Sequence, residues 1–227
     1  MRKTFGVKKS TLSEKKHQFH LDYMKGKFIT FEGSEGCGKS TQSRLLSQYL
    51  KSKGYKVAYL REPGGTKISE KIRKVLLDSR NGSITPVAEL LLYMAARSQI
   101  VSELIKPALN SGKIVICDRF LDSTLAYQGY GLGMDLGFIK QIGSAVSSGI
   151  KPSLTIFLDL PVKEGLRRRA LNKDRIERRP IAYHRRVRNG YLKLAKAEPA
   201  RIKIVKVADD KSVTQAKIRT LVKKTLR

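Results

Sequence analysis

Phe28-Ile29-Thr30-Phe31-Glu32-Gly33-Ser34-Glu35-Gly36-Cys37-Gly38-Lys39-Ser40-Thr41 decides the reading of this chain. Its first five residues are a short β-rich run. The next eight fit G-x-x-x-x-G-K-[ST], and an amphipathic stretch carrying Leu45, Leu46 and Leu50 follows. Strand, glycine-rich loop, lysine and helix in that order make a phosphate-binding loop. Glycines let the backbone turn so that successive N–H groups converge on phosphate oxygens. The helix N-terminus behind them adds partial positive charge. Residues 33–41 are therefore expected to hold a nucleotide. Lys39 is expected at the β- and γ-phosphates and Ser40 on Mg²⁺. Cys37 reads as a passive small residue within the loop.

Outward from this loop, β-rich runs recur at Val57–Leu60, Ile114–Cys117, Leu154–Leu158 and Ile202–Val207. Helical patterns fill the intervals at 39–53, 69–77, 86–109, 135–148, 161–171, 182–197 and 212–225. Such alternation predicts parallel βαβ units, hence an α/β fold with a sheet covered on both faces. Ile114-Val115-Ile116-Cys117 ends in Asp118-Arg119. In an open parallel sheet ligands bind beyond the carboxyl ends of the strands. Asp118 should therefore stand beside the phosphate loop and hold Mg²⁺ through water, with Arg119 aimed into the same crevice.

The 227 residues suffice for one domain with a real core, read here as 27–227. Residues 1–26 lack periodicity and read as a basic, disordered arm; a chain starting at Met24 would begin just before the first strand. No apolar run approaches the length of a membrane span. Two cysteines, Cys37 and Cys117, cannot build a disulfide framework, so a reducing cytoplasm is the simplest compartment. The net charge is +28, and residues 161–227 carry 22 basic and 6 acidic side chains. A surface of this kind attracts polyanions, from nucleic acid to phosphorylated small molecules.

Three more segments narrow the chemistry. Arg61-Glu62-Pro63-Gly64-Gly65-Thr66 follows the second β-run. Tyr93-Met94-Ala95-Ala96-Arg97 lies in the long helix. Asp118-Arg119-Phe120 continues through Asp122-Ser123-Thr124-Leu125-Ala126-Tyr127-Gln128-Gly129. A guanine-specific GTPase would need N-K-x-D, but Asn172-Lys173-Asp174 is followed by Arg175. With the phosphate loop, these segments resemble the thymidylate (dTMP) kinases of the nucleoside monophosphate kinase family, over about residues 25–220. That resemblance implies a three-layer P-loop kinase fold whose five-stranded parallel sheet has the order 2-3-1-4-5, with a small lid. It implies ATP as phosphoryl donor, dTMP as acceptor, Mg²⁺, a role in dTTP synthesis, and a homodimer. By the same resemblance Tyr93 stacks on thymine, Arg97 bonds the base, Arg119 grips the acceptor phosphate with Arg61 as helper, and Ser123 belongs to the acceptor site. Tyr127 lies against the deoxyribose, and Glu35 contacts the 3′-hydroxyl and the metal region. Read without the resemblance, Tyr93 falls in an apolar run and looks like core.

Phosphoryl transfer needs a basic cover that excludes water. The arginine-rich stretch at about 167–182 fits that need as a lid. Arg175 is the first choice for touching the transferred phosphate and Arg169 the second, and the lid-borne arginines match the bacterial arrangement. The alternatives are a P-loop kinase for another nucleoside or nucleotide, and a basic nucleic-acid-binding P-loop protein. The second would need more aromatic platforms than Tyr183 and Tyr191 supply.

Overall fold

A computed structural model of the chain describes residues 26–168 and 174–226. The arm expected over 1–26 lies outside them except for Gly26, as do residues 169–173 of the lid, Arg169 included. Five strands, β1 (Lys27–Glu32), β2 (Val57–Arg61), β3 (Ile114–Asp118), β4 (Leu154–Asp159) and β5 (Ile202–Lys206), form one sheet. The order is β2-β3-β1-β4-β5, and every neighbouring pair is parallel. The strand positions expected from the sequence hold to within a residue.

Side chains of a strand alternate between the two faces of its sheet. Ile29, Phe31, Ile116, Ile156 and Leu158 face one way. They meet Leu46 and Leu50 of α1 (Lys39–Ser52), together with Ile218 and Val222 of the C-terminal helix. Phe28, Val115, Cys117 and Phe157 face the other way. The helices on that side are α3 (Pro86–Ile100) and α4 (Lys106–Asn110), then α6 (Leu136–Val146) and α8 (Ile181–Ala197). Both faces are thus dry, which explains why the central strands read as near-continuous apolar runs. The remaining helices are α2 (Lys67–Leu77), α5 (Leu121–Thr124), α7 (Val162–Arg167) and α9 (Lys211–Thr225).

Two departures from the sequence reading matter for the site. The helix expected over 86–109 is not continuous: Val101–Ile105 is a π-helical turn between α3 and α4. Pro107 has no N–H to give and its ring crowds the preceding turn, so the ladder widens and Lys106 N reaches back to Val101 O. Residues 121–131, rich in glycine and tyrosine, carried no helical prediction. They form α5 and a second π-helical turn, Leu125–Gly131. Packing decides this: Tyr183 and Val187 of α8 crowd Gly131, and Leu136 crowds Gly129, so these glycines leave room for neighbours.

Candidate active site

The loop after β1 turns on residues that only glycine tolerates. Gly33 has φ +146°, and a Cβ there would meet Leu158 O at 2.6 Å. Gly38 has φ +90° in open space. Lys39 begins α1, is buried, and donates from Nζ to Ser34 O at 2.8 Å. Next to it Ser40 Oγ donates to Asp118 Oδ2, at the carboxyl end of β3. A hydroxyl and a carboxylate side by side at a phosphate loop fit Mg²⁺, which takes one or two protein oxygens and completes its shell with phosphate and water.

Arg119 follows with φ +75°, rare outside glycine and costing on the order of 1–3 kcal/mol. The turn swings its guanidinium back over the loop. Nη2 donates to Glu35 Oε1 at 2.7 Å and to Tyr127 Oη at 3.0 Å, and Nη1 donates to Ser123 Oγ at 3.1 Å. Tyr127 Oη in turn donates to Glu35 Oε1 at 2.7 Å. Burial alone would raise the Glu35 carboxyl, but Arg119, Lys39 and the Tyr127 hydroxyl overcome it and hold the group down at about 2. Burial would likewise weaken the charge on Arg119, but Glu35 and the surrounding tyrosines push its pKa far up instead. Both ions are therefore fixed at any working pH.

A second wall comes from α3. Thr85 caps it, accepting from Ala88 N at 3.3 Å, and Pro86 occupies the first turn. Tyr93 is half-buried and lines the cavity, so it is not core. Arg97 is fully buried and ion-paired to Glu62 Oε2 at 2.7 Å. Glu62 Oε1 has no partner among the described residues. The cavity between these walls measures about 360 Å³. It is lined by Glu35, Gly36, Gly38, Lys39, Ser40 and Thr41 from the loop, and by Arg61, Tyr93, Arg97, Asp118, Arg119, Ser123 and Tyr127 from elsewhere. The loop after β1 and the segments carrying Tyr93, Arg97, Arg119 and Tyr127 thus open on one space.

A family model for thymidylate kinase matches residues 31–218. The thymidylate kinase of Geotalea daltonii is 50% identical over 206 residues, covering 87% of this chain and 96% of that protein. That of Geotalea uraniireducens is 48% identical over 201 residues, covering 85% and 94%. The crystal structure of thymidylate kinase from Ehrlichia chaffeensis superposes with a TM-score of 0.73 at 34% identity, covering 87% of this chain and 98% of that one.

The chain belongs to the thymidylate kinase family.

The structure places Arg175 elsewhere than the sequence reading expects. Arg175 does not face the cavity. Its Nε donates to Leu76 O at 2.8 Å and its Nη2 to Glu89 Oε2 at 2.6 Å, which buries it at the foot of the lid. Among the described residues, the basic run reaches the cavity at Arg168, the residue after α7, with Asp174, Ile176 and Glu177 beside it. Neighbouring arginines in one charge run cannot be ranked from sequence. Arg61 reaches the cavity wall, but its guanidinium is spent on Glu70 at 2.9 and 3.0 Å and on Pro63 O at 3.1 Å. Gly33, Ser34 and Cys37 form the back of the loop and do not line the space.

Several cavity residues carry no role in the sequence reading. Glu62 lies next to Arg61, and an opposite charge at Arg97 is the available clue. Gln128 follows Tyr127 and lines the same space. Arg73 reaches the cavity from α2 and donates to Pro63 O at 2.9 Å. On its own it was one more cation of an amphipathic helix, and only the packing of α2 on α3 brings it in.

Proposed function

We infer that the chain transfers the γ-phosphoryl group of ATP to dTMP, giving ADP and dTDP, with the site residues in the following roles. The backbone of residues 33–41 and Lys39 hold the donor phosphates. Ser40 and Asp118 are the protein ligands for Mg²⁺, which when bound neutralises phosphate charge and fixes the donor's geometry. Arg119 takes the acceptor phosphate, with Ser123 beside it. Its partner Glu35 stays ionised and aims the guanidinium. Tyr93 stacks on the base, Arg97 bonds it, and Tyr127 walls the sugar against a 2′-hydroxyl. Arg61 helps at the acceptor phosphate by exchanging its half-exposed Glu70 pair, and surface pairs of this kind break at little cost. Arg168 replaces Arg175 as the lid cation for the phosphoryl group in transfer.

The observation that carries this reading is the shared cavity: the phosphate loop and the segment Asp118–Gln128 open on one space, with Arg168 at its rim. We read residues 27–227 as one kinase domain, its lid at about 167–182. A homodimer through α3 is supported by Val87 and Leu91, one helical turn apart and about half exposed. Cytoplasm is the compartment we propose. No helix among the described residues is long and apolar enough to cross a membrane.

The test is ADP formation with a panel of nucleoside monophosphates, with and without DNA. Fastest turnover with dTMP, poor turnover with ribonucleotides and indifference to DNA support the assignment. AMP or CMP outperforming dTMP would overturn it.

A further inference from the structure

Glu89, in the first turn of α3, is 1% exposed and receives three side chains from two other parts of the molecule. Arg175 Nη2 and Arg179 Nη2 each donate to its Oε2 at 2.6 Å, and Gln128 Nε2 donates to its Oε1 at 2.8 Å. The two arginines belong to the foot of the lid, and Gln128 belongs to the π-helical turn that carries Tyr127. Tyr93 stands one helical turn along α3 from Glu89.

The lid foot has further ties to the acceptor side. Arg175 N and Nε donate to Leu77 O and Leu76 O at the end of α2. Arg179 lies over the Tyr183 ring at 4.6 Å, and Tyr183 Oη donates to Tyr127 O at 3.3 Å. Beside the two arginines, Asp174 just before Arg175 and Ile176 and Glu177 just after it form part of the cavity wall. One buried carboxylate therefore joins the lid, the base-facing helix and the sugar-facing turn.

We propose that Glu89 is a positioning residue that clasps the lid foot onto the acceptor wall, so that the wall formed by Asp174–Glu177 is complete only while the clasp holds. The proposal rests on the acceptor reading given above. One buried and one partly buried guanidinium group share this carboxylate, and removing its charge leaves them uncompensated. The lid foot then swings away from α3. Acceptor binding weakens because its wall opens, and water enters where dTMP alone should take the phosphoryl group. Among the described residues no hydrogen bond or ion pair joins Glu89 to the phosphate loop, so donor binding is spared.

The experiment compares wild type, Glu89→Gln, Arg175→Met and the double variant. Hydrogen exchange without substrate reads the backbone amides of Arg175, Arg178 and Arg179, and kinetics read both substrates and both products. Each single variant is expected to lose protection at those amides. Each should also raise KM for dTMP about ten-fold while KM for ATP stays within about two-fold, and ADP should form in excess of dTDP. The double variant should be no worse than either single one, because both break the same contact. Arg175→Met breaks the clasp from the lid side and carries the test if Glu89→Gln does not fold. Unchanged amide protection overturns the proposal. So do KM values for both substrates that rise together with ADP and dTDP still equal. A wild type that does not turn over dTMP sinks the acceptor reading instead, while exchange still scores the clasp.

Discussion

Glu32 and Glu35 lie three residues apart and are driven in opposite directions. Glu35 meets Arg119 and Lys39 and stays ionised. Glu32, at the carboxyl end of β1, is fully buried and accepts from Phe120 N, Ser123 Oγ and Tyr191 Oη. Burial and the nearby Asp122 push its carboxyl up to about 7 against the pull of Ser123, Arg119 and Tyr191. A carboxyl raised on folding binds its proton more tightly in the native chain than in the unfolded one. That contribution to stability is complete below its ordinary value of 4.5 and is lost as the pH climbs through about 7. Thermal melts of wild type and Glu32→Gln across this window check it. The wild type should lose ground steadily to the variant as the pH rises, and a constant difference would show that Glu32 holds no proton.

At the scale of elements, the lid and the phosphate loop meet across one gap. Arg168, the residue after α7, pairs with Glu164 one turn back and reaches the cavity. Arg185, exposed on α8, has the same charge but no place in that space. Removing a cation from the point where charge develops costs on the order of 10²-fold in kcat. Arg168→Ala should approach that loss, with a smaller change in KM for dTMP. Arg185→Ala should leave both parameters within about two-fold, as surface substitutions usually do. Equal, mild effects from the two would mean that the catalytic arginine lies elsewhere in the run.

The whole molecule presents a stripe that its own fold leaves uncovered. Leu90, Met94 and Ile100 of α3 are buried, but Val87 at 51% and Leu91 at 50% exposure face outward. Apolar side chains spaced one turn apart on an exposed helix favour a second surface, and a two-fold dimer supplies one by setting the same patch of each copy against the other. Placing a charge there should prevent it. Leu91→Asp is expected to sediment as a monomer while keeping its thermal transition, whereas the wild type sediments at twice the mass. A wild-type monomer at micromolar concentration would dismiss the dimer.

The sequence by itself determined the strands, their parallel pairing and the phosphate loop, because these rest on local rules. Side-chain alternation, glycine at positive φ and the order strand–loop–lysine–helix are all written within a few residues. Through the family's motifs it pointed to Arg119, Glu35 and Tyr127 one by one, each with its own expected role. It did not show that they bond one another, since the partners stand 84 and 92 residues apart in the chain. The fate of the basic run was beyond it too. Arg168 and Arg175 are equivalent as letters, and only the docking of the lid foot on α3 offers one of them a buried carboxylate and leaves the other at the cavity. The second π-helical turn has the same origin: Gly129 and Gly131 make room there for Leu136 and for Tyr183 and Val187 of α8, neighbours that only the fold supplies, whereas the first turn follows locally from Pro107.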